Sequence, residues 1–258
     1  MKKPTRHHRR DVEMFPFVAI TIAATFASAA QYAPRSQYVP SEMHGWKIYV
    51  HRRLIEQDVE VYEQTMKLLD VKLHDIQRVV PAEPLRELRK VPLWVEADND
   101  HEFPCICYHF SKRWMAQNGF NPIKVDSIEI CNASRFLRWT HAQPWIVMHE
   151  MAHAYHHRFL GRNDVRIKRA HRRALKSKRY DSVLRYTGNN VRYYGLKNAR
   201  EFFAEMTESY FGVNDFFPFN RGELRQYDAS TYQLLRSIWG EPPGATNQDD
   251  LDFYETSS

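Results

Sequence analysis

His149-Glu150-Met151-Ala152-His153 sets two imidazoles four residues apart with a carboxylate beside the first. The stretch sits in an apolar, helix-forming run, with Trp145-Ile146-Val147-Met148 before it and Ala152, Ala154 and Tyr155 through it. On a helix, residues i and i+4 lie about 40° apart around the axis and roughly 6 Å apart along it, so both rings can face one point. A zinc ion suits that point, with Zn–N distances of about 2.0–2.1 Å. Glu150 then stands where a base for an activated water is needed. The chain holds 13 His, and a half-buried helix with two surface histidines and a solvated glutamate is the bland alternative. A catalytic zinc site, with three protein ligands and one open position, also requires a third donor.

The metzincin continuation asks for glycine and then histidine at the positions held here by His156 and Phe159, so it fails. His156 and His157 read as surface or supporting histidines of the same helix. The remaining source is a carboxylate on a later helix. Within Asn198 to Phe211, Glu201, Glu205 and Glu208 recur at i, i+4 and i+7, and Phe202, Phe203, Met206, Tyr210 and Phe211 surround them with apolar surface. Carboxylates set so closely among aromatics need partners, and a zinc ion with its histidines provides them. Glu201 is expected to be the ligand. Glu205, one turn on, is expected to accept the outer N–H of a ligand histidine.

Tyr194-Gly195-x-x-Asn198-x-x-Glu201-Phe202-Phe203-Ala204-Glu205, following His149-Glu150-x-x-His153, resembles the catalytic domain of the anthrax lethal factor type of metallopeptidase. The resemblance covers roughly residues 141–211. Those enzymes are gluzincins, whose third zinc ligand is a glutamate on a downstream helix, and the 48-residue separation from His153 to Glu201 is compatible. It implies one Zn2+ on His149, His153 and Glu201, Glu150 as general base, Tyr194 steadying the oxyanion, and Glu205 behind the ligands. Tyr193 is the rival phenol. The toxin's substrate-recognition domains have no room in this chain, so its host-kinase substrates do not carry over.

The rest of the chain must position these groups. With 258 residues, 43% hydrophobic and 14% aromatic, it can bury a sizeable core. Lys2, Lys3, Arg6, Arg9 and Arg10, the apolar run from Phe15 to Phe26, and Ala27-Ser28-Ala29 have the layout of a secretory signal peptide over 1–29. Cleavage near Ala29 implies a secreted or periplasmic enzyme; an uncleaved anchor is the alternative, although the run is shorter than the ~20 residues a span needs. The net charge is +6, and residues 1–29 hold five Lys/Arg against two Asp/Glu, so half of the excess belongs to the leader. No nucleic-acid partner is expected. The basic run Arg166 to Arg179 reads as a solvated helix face, with contact to an acidic surface as its alternative. Of Cys105, Cys107 and Cys131, the pair Cys107–Cys131 is a candidate disulfide in an exported chain.

A strand is expected from Gly45 to Val50, a long helix from Leu54 to Val80, a short helix from Leu85 to Leu88, a strand from Val91 to Glu96, a loop from Asn99 to His109, and a short helix from Ser111 to Asn118. Val125 to Cys131 alternates as a strand. The active-site helix is expected over 142–159, then a basic helix, the glutamate helix, and a last helix from Arg221 to Trp239. This order implies an α+β, zincin-like (gluzincin) domain over 30–258: a small mixed sheet, the active-site helix, C-terminal helices, a catalytic core at about 91–240 and an acidic tail at 248–258. The strand before the active-site helix, with Ser127, Ile128, Glu129 and Ile130, is expected to be the sheet edge that takes a peptide by strand addition. The reading is thus a secreted zinc metalloendopeptidase acting on a peptide or protein. Its rivals are a catalytically silent zinc-bearing protein and a secreted cell-surface-binding protein.

Overall fold

A computed structural model describes residues 32–97 and 105–244. The expected signal peptide, the first part of the 99–109 loop and the acidic tail lie outside the described residues. Strands β1 (Tyr38–Met43) and β2 (Trp46–His51) form a hairpin. His44 and Gly45 make its two-residue turn, both at positive φ (51° and 86°), as a turn matching the strand twist requires. Segment 38–43, expected as an extended lead-in, is therefore a strand. Its Pro40 is tolerated because β1 lies at the sheet edge.

The expected helix from Leu54 to Val80 is two, α1 (Arg52–Gln57) and α2 (Val59–Val79), broken at Asp58. Helix α3 (Ala82–Leu88), β3 (Leu93–Val95), β4 (Ile106–Tyr108), α4 (Lys112–Gln117) and β5 (Ile128–Ile130) follow. The expected loop to His109 thus ends in a strand, too short to show periodicity. Helix α5 (Ala133–Ala142) stops at Gln143-Pro144, and α6 (Ile146–Tyr155) begins anew, running into a five-residue π turn over His156–Leu160. The stretch expected as one helix over 142–159 therefore starts after Pro144. The chain continues through α7 (Val165–Ser177), the small ribbon β6 (Val183–Leu184) and β7 (Asn190–Val191), α8 (Ala199–Phe211), α9 (Arg221–Tyr227) and α10 (Ala229–Trp239). Asp228, capping α10 through the Thr231 N–H, splits the expected last helix.

The result is a mixed α+β fold: a five-stranded sheet in the order β1-β2-β3-β5-β4, then the motif-bearing helix and further helices, an arrangement consistent with a gluzincin-like architecture. Strands β2, β3 and β5 run parallel, and β4 closes the far side antiparallel to β5. None of the described helices is long and apolar enough to cross a membrane. In α7, Ile167, Ala170 and Ala174 are buried while most of the basic residues are exposed.

The strand expected as the edge is interior: β5 lies between β3 and β4, and Ser127, Ile128, Glu129 and Ile130 are all at most 1% exposed. Its alternation reads as one solvated face because Glu129 is charged. That face is instead covered by a buried ionic group. Lys124 donates to Glu129 Oε1 at 2.6 Å and also to Glu96, His109 Nε2 meets Glu129 Oε2 at 2.5 Å, and the Tyr38 hydroxyl donates to Glu96. These contacts outweigh burial and hold the Glu129 carboxyl below its ordinary range. Removing one partner of such a group leaves an uncompensated buried charge. Lys124→Met is therefore expected to destabilise the fold by about 3–5 kcal/mol, read from the urea unfolding midpoint at unchanged slope.

Candidate metal centre

Helix α6 is apolar and buried almost all round, with Val147, Met148, Met151, Ala152 and Ala154 at most 1% exposed, as a central core helix should be. Helix α8 packs on it antiparallel, through contacts spaced one turn apart. At the first, the Trp145 indole fills the space a Cβ on Gly212 would need, so only glycine allows this approach. One turn inward on both helices, His149 Nδ1 lies 2.7 Å from Glu208 Oε1. One turn further along α6, His153 Nε2 lies 3.3 Å from Glu201 Oε2. Asn198 fixes the start of α8, its Oδ1 accepting from the N–H groups of Arg200 and Glu201.

His149 Nε2 also lies 3.4 Å from Glu201 Oε2. One nitrogen from each imidazole and one Glu201 oxygen fall within 4.8 Å of one another. Donors held at about 2.0–2.1 Å by a tetrahedral ion stand about 3.3–3.4 Å apart. The two histidine-to-glutamate separations match that edge length, and a two-nitrogen, one-carboxylate set is a common donor set of catalytic zinc. His149-Glu150-x-x-His153 with the downstream glutamates is thus consistent with a gluzincin-type zinc-binding motif, and the residues present fit a divalent ion. A second group, His149, Glu205 and Glu208, also lies within 4.8 Å and is fully buried.

The expected partner behind His149 needs correction. Glu205 Oε1 is 3.7 Å from Nδ1, beyond hydrogen-bond reach, whereas Glu208 Oε1 is at 2.7 Å and also accepts from Gln143 Nε2 at 2.9 Å. Because α6 and α8 are antiparallel, His149 stands opposite the turn of α8 nearer its end. The stripe was visible in the sequence, but which of its members meets the ring depends on how the two helices face each other.

Burial would raise the Glu201 carboxyl, but hydrogen bonds from His149 and His153 outweigh it and hold it far below the usual range. Burial would lower His149; Glu201 and Glu208 outweigh it and raise it. Burial, reinforced by Glu208, lifts Glu205 well above its ordinary value and Asp215 to about 7. Glu150 is raised by burial, despite the two histidines. Its Oε2 accepts the N–H of Tyr108 at 2.7 Å, which ties it to β4.

That bond identifies the sheet edge at the site. Cys131 N donates to Cys105 O, and His109 N to Ser127 O, so alternate residues of this segment bond to β5. The backbone of Ile106 and Tyr108 therefore faces the other way, toward α6. Among the described residues β4 ends the sheet, so the edge expected at Ser127–Ile130 is found at Ile106–Tyr108.

The two tyrosines part company. Tyr193 is 1% exposed in an aromatic cluster, its hydroxyl accepting from Asn214 Nδ2 at 3.1 Å. Tyr194 is 41% exposed and lines the metal-site cavity, with Lys197 Nζ 3.2 Å from its hydroxyl. Gly195 is required between them and α8, since a Cβ there would lie 2.5 Å from the Tyr193 ring. Cys107 and Cys131 are free thiols with their sulfurs 3.4 Å apart, not the expected disulfide. Cys107 stands directly opposite Glu129 and only diagonally from Cys131.

The cavity at the motif measures about 520 Å³. Its walls include Phe110, Trp139, Ile146 and Phe216 together with Arg162 and Arg200. The chain matches no family model, no curated protein and no solved structure. Glu208→Ala is expected to weaken zinc binding about 10–100-fold, and Glu205→Ala distinctly less, measured by competition with a chromophoric chelator.

Proposed function

We propose that this chain is a zinc-dependent metallopeptidase of the lethal factor-like gluzincin type, exported by its leader and cleaving peptide bonds. The observation that carries the reading is the meeting of His149, His153 and Glu201 at zinc-ligand spacing, with Glu150 at the same cavity. His149, His153 and Glu201 would hold the ion. Bound zinc supplies Lewis acidity, bringing the pKa of water from 15.7 toward about 7.

The chain's own groups then do the following. His149 offers Nε2 outward because its Nδ1–H is held by Glu208, which fixes the tautomer. Glu150, oriented by the Tyr108 N–H, takes the proton of the attacking water and passes it to the leaving amine. Burial favours its protonated state, which suits a group that must first accept and then return a proton. Tyr194 presents its phenol to the cavity, where it donates to the developing oxyanion. The border strand β4 receives the peptide backbone by strand addition beside Tyr108 and Phe110, which line the cavity.

Glu150→Gln is expected to retain stoichiometric zinc by metal analysis and to lose cleavage of an unfolded protein substrate. Zinc content near zero in the purified wild-type chain under zinc-replete conditions would exclude the proposal. Tyr194→Phe should lower kcat by about 10²–10³ with zinc affinity unchanged, read from progress curves on a quenched fluorescent peptide.

A further inference from the structure

Two arginines at the cavity wall have no assigned role. Arg162 follows Gly161, which ends the π turn continuing the histidine helix. Arg200 is the second residue of α8, immediately before Glu201. Both guanidinium groups lie over the Phe110 ring, 4.9 and 5.1 Å from its centroid. Arg162 Nη2 also donates to the Phe110 carbonyl at 2.8 Å. Phe110 continues the line of β4, two residues beyond Tyr108.

Their electrostatic surroundings set them apart. The third arginine of the cavity, Arg185, has Asp215 3.6 Å away. Among the described residues, neither Arg162 nor Arg200 forms an ion pair with a carboxylate. Two like charges share one ring, no farther apart than the sum of their distances to it, without a protein anion between them. The N-terminal end of α8 adds positive potential at the same place. Cation–π contact with Phe110 holds both guanidinium groups at the cavity wall, where their N–H groups are available for carboxylate recognition. A charge-assisted contact from two guanidinium groups to one carboxylate is stronger than a neutral hydrogen bond.

Resting on the peptidase reading and deepening it, we propose that Arg162 and Arg200, ordered by Phe110, form a carboxylate-binding subsite at the end of β4, so that the preferred substrate is a peptide bearing a carboxylate there. That carboxylate comes either from an acidic side chain or from a free C-terminus.

The test uses the full-length Glu150→Gln protein loaded with zinc, so that binding is read without turnover. Two pairs of fluorescent peptides are compared by anisotropy. In the first, both ends are blocked and one glutamate is exchanged for glutamine at successive positions. In the second, no acidic side chain is present and the C-terminus is free or amidated. At least tenfold tighter binding of the carboxylate member is expected in one pair, and the pair that shows it identifies the source. In Arg162→Gln/Arg200→Gln on the same background the preference should vanish, while the neutral peptides bind as before and zinc content and melting temperature are unchanged. Equal binding within both pairs would overturn the subsite, as would a preference that survives the double replacement. Loss of the peptidase reading appears separately, as absent zinc or absent cleavage in the chain with Glu150 intact.

Discussion

The His149 imidazole, held between carboxylates on both of its nitrogens, is the interaction on which the centre depends. Glu208 takes Nδ1 at 2.7 Å, and Glu201 stands 3.4 Å from Nε2. Both approaches require α6 and α8 to lie close together, and the Trp145–Gly212 contact allows that. A side chain at 212 would push the helices apart and separate every pair of groups along the seam. The same seam explains why three glutamates survive in an aromatic core. Buried carboxylates are costly without compensation, and here the imidazoles and Gln143 supply part of it. Among the described residues, Glu205 Oε2 and Glu208 Oε2 are left without hydrogen-bond donors, and burial lifts the Glu205 carboxyl well above its ordinary value.

The far side of the sheet contributes through strand order. The Lys124–Glu129–His109 group seals the polar face of β5, which lets β5 lie inside the sheet and leaves β4 as its border. Strand β4 then presents the backbone of Ile106 and Tyr108 toward α6, and the Tyr108 N–H holds Glu150. Glu150 and the border strand are thereby joined by one hydrogen bond.

Much of the centre was legible locally. His149, Glu150 and His153 follow from helical spacing, and the aromatic-flanked stripe from Glu201 to Glu208 shows a helix whose carboxylates face inward. The α+β class follows from the order of strand-like and helical segments. Less was legible where two opposing patterns look alike. Glu129 in an alternating strand reads as solvent-facing, because the alternation does not announce that His109 and Glu96, both distant in sequence, will join Lys124 in burying it. Ile106 to Tyr108 is too short to declare a strand at all. The break at Pro144 was blurred because helix-forming residues lie on both sides.

What sequence alone determined is therefore whatever depends on spacing within one element: the histidine pair, its glutamate, and the acidic repeat one and two turns along a later helix. Tertiary structure alone decided which member of that repeat meets which nitrogen, which strand is the border, and which of two adjacent tyrosines faces the cavity. The physical reason is that helical periodicity fixes the direction of side chains about one axis. The distance and orientation between two axes are set by packing between residues far apart in the chain, here Trp145 against Gly212 and Lys124 against Glu96.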